Sequence, residues 1–203
     1  MCYTKTASGR CMRASAGCRN LFYQNHCRIP CGIHSVFSNT FIFDAENDGK
    51  EGYLYSLVTT SIIQGIKSIP VYVEADVSDG MPLFEMVGSL SPEVKESKER
   101  VRTALKNTGY ILPPKRITIN FIPANIRKTG SGFDLPVVAA VLCAIGIVPE
   151  EALKNTMVVG EISLSGDVKP VNGILPMVAE AKERGVTRCI VPAENQTEAQ
   201  LVK

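Results

Sequence analysis

Fourteen consecutive residues, Leu135 to Val148, carry no charged side chain and no polar one beyond the Cys143 thiol, and a folded chain must hide such a run from water. The run is too short to cross a bilayer, which takes about 20 apolar residues, and it starts beside Asp134 and Pro136. It therefore reads as a helix buried on all sides in the core of a water-soluble domain. No longer apolar run occurs, and no apolar signal core lies between a basic start and small residues at the N-terminus. The expected location is cytoplasmic, with no membrane partner. The 203 residues are 45% hydrophobic and 21% charged, enough for one domain or two small ones. A folded part of about 150 residues buries roughly 70% of its unfolded surface, so the core is self-sufficient.

Residues 1–54 differ in kind from the rest. They are rich in Cys, Ser, Asn and Arg, lack helical or strand periodicity, and end in the polar stretch Asp44 to Gly52. This segment reads as a disordered leader, or as the product of a start codon placed too far upstream. Five of the seven cysteines (Cys2, Cys11, Cys18, Cys27 and Cys31) and both histidines (His26 and His34) fall here. Cys27-x3-Cys31-x2-His34 lacks the second ligand pair that tetrahedral zinc needs, so no metal site is expected. Cys143 and Cys189 sit in apolar runs and read as small buried hydrophobes.

From Tyr55 the pattern becomes regular. Tyr55–Gln64 and Val71–Val77 are rich in β-branched residues and pair as strands, with Gly65 and Pro70 punctuating the link. Ser78-Asp79-Gly80 is a turn leading to a third strand, Leu83–Val87. Ser91 and Pro92 open a helix whose Val94, Val101, Leu105 and Thr108 share a face and which Gly109 ends. Arg116–Ile122 reads as a strand, and Lys128 to Asp134 as a glycine-rich loop opening the buried helix. Met157–Ile162 and Asp167–Val171 form a hairpin, Pro176–Arg184 a helix, Arg188–Val191 a last strand, and Glu194–Lys203 the start of another helix. The fold class is α/β (α+β), a mixed sheet with hairpins, crossovers and packed helices.

Four stretches resemble one family. Val73-Glu-Ala-Asp-Val-Ser-Asp-Gly-Met-Pro82 with Val87-Gly88 resembles the opening hairpin of the ComM/YifB family of Mg-chelatase-like AAA+ proteins, and Glu96 to Asn107 resembles its first helix. Pro114 to Asn120, with Arg127-Lys128-x-Gly-x-Gly-Phe-Asp-Leu-Pro136, resembles its central strand and loop. Gly160-Glu-Ile-Ser-Leu-Ser-Gly166 with Pro170-Val-x-Gly173 resembles its second hairpin. The resemblance implies a Lon-protease-like domain at 55–203, in the ribosomal-protein domain-2-like superfold, cut off before an AAA+ ATPase module. ATP and Mg are expected only for that missing module, because no Gly-x4-Gly-Lys-Ser/Thr loop occurs here.

The last two stretches also resemble the Lon peptidase domain, which uses a Ser in a Lys-x-Gly-Pro-Ser-Ala-Gly loop and a Lys after a Gly-Gly pair. A serine hydroxyl is a poor nucleophile without such a base. Counting from Lys128 places the serine position on Gly132, and counting from Gly173 places the lysine position on Met177. Both halves are missing, so no peptidase activity and no catalytic residue are expected. The amides of Gly130, Ser131 and Gly132 form a candidate anion-binding concavity at a helix N-terminus. Asp134, as an N-cap, would occupy those amides instead.

Charge is uneven along the chain. Residues 92–130 carry nine basic and three acidic side chains, a local +6 that leaves −4 elsewhere in a total of +2. Lys98, Arg102 and Lys106 follow an i, i+4 row able to track a phosphate backbone. Lys115, Arg116, Arg127 and Lys128 complete the candidate nucleic-acid set, and no interleaved aromatic residues suggest base reading. Three readings stand. The first is a non-catalytic domain contributing DNA contact or packing within the hexameric ring that the family resemblance implies, one that moves branched DNA in transformation and recombination. The second is a cryptic enzyme using Lys128–Asp134 on a phosphorylated small molecule. The third is a truncated gene product with no independent role.

Overall fold

The computed structural model describes residues 55–202, together with the backbone of three short strands, β1 (Tyr3–Lys5), β2 (Cys11–Arg13) and β3 (Leu21–Phe22). The expectations for the leader, including Cys27, Cys31 and His34, otherwise lie outside the described residues. The strands that follow are β4 (Tyr55–Gln64), β5 (Lys67–Ser78), β6 (Leu83–Val87), β7 (Arg116–Ile122), β8 (Thr156–Val158), β9 (Glu161–Ile162), β10 (Val168–Lys169) and β11 (Arg188–Pro192). The helices are α1 (Pro92–Asn107), α2 (Asp134–Ala144), α3 (Ile174–Glu183) and the short α4 (Gln196–Ala199). A seven-stranded mixed sheet runs β3-β11-β8-β4-β5-β7-β6.

Strands β4 and β5 form a long antiparallel hairpin, in register from Gln64↔Lys67 to Tyr55↔Asp76, closed by Gly65 at φ +65°. Pro70 lies inside β5 rather than before it. The missing N–H is tolerated there because β7 reaches β5 only as far as Tyr72, leaving Pro70 with one neighbouring strand. Alternation sets the faces: Val71, Val73, Ala75 and Val77 of β5, with Ile117, Ile119 and Phe121 of β7, point to the core. Tyr55, Leu57, Glu74, Asp76, Thr118 and Asn120 sit on the opposite face, which is half-buried or exposed.

The turn at Ser78-Asp79-Gly80 does lead to β6, but β6 does not pair with β5. Strand β7 runs between them, antiparallel to β5 and parallel to β6. The reason is the apolar face of α1: a helix following β6 must lie on the sheet and return the chain parallel to it, a β-α-β crossover. Helix α1 starts with Pro92 in its first turn after an extended Ser91, and buries Val94, Ser97, Val101, Ala104 and Leu105. Helix α2 is the apolar run seen in the sequence, and every residue from Asp134 to Ala144 except Ala139 is buried. It lies over β4 and β5 beside α1, and the Ser56 hydroxyl donates to the Ala140 carbonyl at 2.7 Å.

The single strand expected over Met157–Ile162 is divided. Strand β8 joins the main sheet in parallel with β11 and β4, whereas β9 pairs only with β10. The division falls at Val159-Gly160, where the Gly160 N–H donates to the Gly132 carbonyl at 3.1 Å and its carbonyl accepts from Leu135 N–H at 3.0 Å. A Cβ on Gly160 would stand 3.0 Å from Leu135 Cδ2, so glycine is what lets α2 sit this close. Helix α3 covers the opposite face of the sheet over β4 and β5 and starts two residues before the expected Pro176. Its Ile174, Met177, Val178 and Ala181 join Met157, Val159, Val191 and Ala199 in a second apolar cluster. Cys143 is buried as expected, but Cys189 is only half-buried.

Candidate nucleic-acid interface and the glycine loop

The loop into α2 is fixed from its C-terminal side. Asp134 does not cap the helix. It is its first residue, and its fully buried carboxylate accepts from Arg100 Nε at 2.8 Å and from Ile162 N–H at 3.2 Å. Arg100 in turn is pushed above its ordinary pKa by the Asp134 hydrogen bond. One ionic contact thus ties α1, α2 and β9 together. The Ser131 hydroxyl donates to the Glu161 carboxylate, which sets a negative charge beside the Gly130–Gly132 amides. An anion entering that concavity would meet Glu161, so the loop is poorly suited to phosphate.

The two positions matching the Lon serine and lysine offer neither hydroxyl nor amine. Gly132 faces Val159: a Cβ there would stand 3.3 Å from Val159 Cγ2 and 3.7 Å from Val171 Cγ1. Val159 belongs to the same apolar cluster as Met177, which is 7% exposed. Both positions thus border the same apolar cluster.

The basic candidates separate into four groups. Lys115 and Arg116 open β7 and are matched by acids, Lys115 with Asp79 at 3.0 Å and Arg116 with Glu85 at 2.9 Å. Arg127 is exposed on the loop between β7 and α2. Lys128 is not on the surface at all. It is 0% exposed, and its ammonium donates to the carbonyls of Phe121, at 3.3 Å, and Pro123. Burial holds its pKa below the ordinary lysine value. Lys128 therefore cannot reach a phosphate and leaves the candidate set; its main chain pairs with Ser89 and Ser91, so it is a strut between loops.

The remaining group is the row on α1. At 100° per residue, Lys98, Arg102 and Lys106 lie within roughly 80° of one another around the helix. Lys95, three residues before Lys98, falls inside the same arc and is exposed. Its charge is visible in the sequence, but it does not share the i, i+4 spacing of the other three. Glu93, Glu96 and Arg100 lie on other parts of the helix, and only Glu99 borders the row, 3.7 Å from Arg102. Lys95, Lys98 and Lys106 have no ion pair among the described residues. Among those residues no cluster of His, Cys, Asp and Glu could hold a metal ion, and no helix is long and apolar enough to cross a membrane.

Residues 73–195 match the family model described as subunit ChlI of Mg-chelatase. The chain is 37% identical over 147 residues to YifB of Escherichia coli, covering 72% of this chain and 29% of that protein. It is 35% identical over 147 residues to the competence protein ComM of Haemophilus influenzae, with the same coverage, 72% and 29%. It is also 36% identical over 124 residues to Lon protease 2 of Bacillus subtilis, covering 58% of this chain and 22% of the protease. The chain thus spans less than a third of the length of each of these relatives. The last similarity fits the mixed sheet with its packed helices as a Lon-like fold. A match running from β5 to the turn after β11, with these relatives, makes the chain a member of the Mg-chelatase-like family that includes YifB and ComM.

Proposed function

We propose that this domain is a non-catalytic, DNA-contacting part of a ComM-type protein acting in DNA uptake and recombination in the cytoplasm. The observation that carries the reading is the row Lys95, Lys98, Arg102 and Lys106 on one face of α1, exposed at Lys95, Arg102 and Lys106 and half-buried at Lys98. Side chains placed this way meet the phosphates of a nucleic acid and carry no base-reading groups. The competence role printed for ComM points the same way. The glycine at 132 and the methionine at 177, both bordering one apolar cluster, support the absence of peptidase chemistry. In the whole protein, an ATP-driven ring would supply the movement along DNA, with this domain at its surface or in its packing.

The test is a fluorescence-anisotropy titration of the chain with single-stranded, duplex and forked DNA. Four phosphate contacts predict that duplex affinity falls roughly a hundredfold between about 50 and 200 mM salt. Lys98→Glu, Arg102→Glu and Lys106→Glu together abolish binding, whereas Lys128→Met leaves the salt slope unchanged. Absence of binding to all three DNAs at low salt overturns DNA contact by this chain and leaves ring packing.

A further inference from the structure

We infer that the outer edge of β6 takes up an extended polypeptide segment with acidic residues at alternate positions, held as an added strand under the basic flank of α1. Strand β6 is the last of the seven and pairs with β7 alone. Alternate residues of a strand in a parallel pair direct their N–H and C=O away from the neighbour. Among the described residues no backbone hydrogen bond reaches those outward groups of Leu83–Val87. Beside them Leu83 and Val87 are each nearly half exposed, at 44% and 45%. An unpaired edge bordered by exposed apolar side chains is a template for another strand.

The charge comes from α1. Its Arg100 side turns to Asp134 on α2, and α2 lies over β4 and β5. The opposite side of α1, with Lys98 and Arg102, therefore overhangs the outer edge of β6, against which α1 also packs. Four helical residues rise about 6 Å, close to the roughly 6.6–6.8 Å between alternate side chains on one face of a strand. Two acids at i and i+2 of an added strand thus match Lys98 and Arg102, while the residues between them fall beside Leu83 and Val87. A second copy fits poorly: pairing β6 edge to edge would bring two α1 rows of like charge together. Nucleic acid offers no chain of alternating amides and carbonyls to the edge.

The experiment is amide hydrogen exchange by NMR on the full chain, with the heptapeptide Val-Glu-Val-Glu-Val-Glu-Val as probe and its all-Lys counterpart as control. Alternate amides of Leu83–Val87 should gain at least tenfold protection with the Glu peptide and none with the Lys peptide. The proposal is overturned if no β6 amide is protected at about 1 mM Glu peptide, or if both peptides act alike. It is also overturned if those amides are already protected without peptide, by residues 1–54, or in proportion to protein concentration, by a second copy. Glu85→Pro and Met86→Pro, whose N–H groups face opposite neighbours, separate this reading from DNA contact. Whichever remains folded and lacks the outward donor loses the peptide but keeps DNA binding.

Discussion

Lys128 shows how much a single side chain decides. In sequence it adjoins Arg127 and the glycine loop, and it counts as one more positive charge in a basic stretch. In the fold its ammonium is turned inward onto two carbonyls, and its depressed pKa reflects burial. A base whose folded pKa lies below its unfolded value of about 10.4 binds its proton less well in the folded state. Stability then rises with pH across the window between the two values. Cys143 and Tyr55 work the other way: burial pushes the Cys143 thiol up to about 11, and the Glu74 hydrogen bond pushes Tyr55 up to about 12. Both lose stability as pH climbs above their unfolded values. Comparing urea midpoints of the wild type and Lys128→Met from pH 7 to 10 isolates the lysine, because the other two groups are common to both. The wild type should gain stability relative to the variant as pH increases. A pH-independent difference would show that Lys128 is protonated to the same extent in both states. No signal in the sequence marks Lys128 as buried, because burial here depends on where the 121–123 carbonyls end up.

At the scale of elements, the helices and most strands were legible because their periodicities are strong. Val94, Val101 and Leu105 fixed the buried face of α1, and the apolar run from Leu135 fixed α2. Pairing was not legible. Nothing local in Ser78-Asp79-Gly80 says that β7 will enter between β5 and β6, since that order is set by α1 crossing the sheet. The run Met157–Ile162 likewise looks continuous, and its break at Gly160 comes from α2 pressing on it. Gly160→Ala tests that contact: its Cβ would meet Leu135 Cδ2 at 3.0 Å and Val168 Cγ1 at 3.2 Å. Overpacking of this kind costs about 1–3 kcal/mol, read as a lower urea midpoint at unchanged m-value. Removing the ionic tie is worse. Arg100→Met leaves the fully buried Asp134 carboxyl without its cation, and breaking such a pair costs about 3–5 kcal/mol.

For the whole molecule, the charged row and the apolar plug lie on different parts of one sheet-and-helix body. The row on α1 was readable by spacing, and Lys95 required the helical phase. The plug was readable only as two absences, Gly132 and Met177, and the structure adds that Val159 and Val171 stand against Gly132 and belong with Met177 to one apolar cluster. Gly132→Ser with Met177→Lys therefore restores the residue types without the site. The double variant should cleave no casein and should unfold at lower urea than the wild type. A lysine at a position 7% exposed must lose its charge or its water. The plug also bears on how such a chain can change over generations. A serine at 132 brings no activity without its base, and a lysine at 177 costs stability before any serine rewards it. Neither single step is favoured, so a Ser–Lys pair at these two positions is separated from the present sequence by a barrier that both changes must cross together.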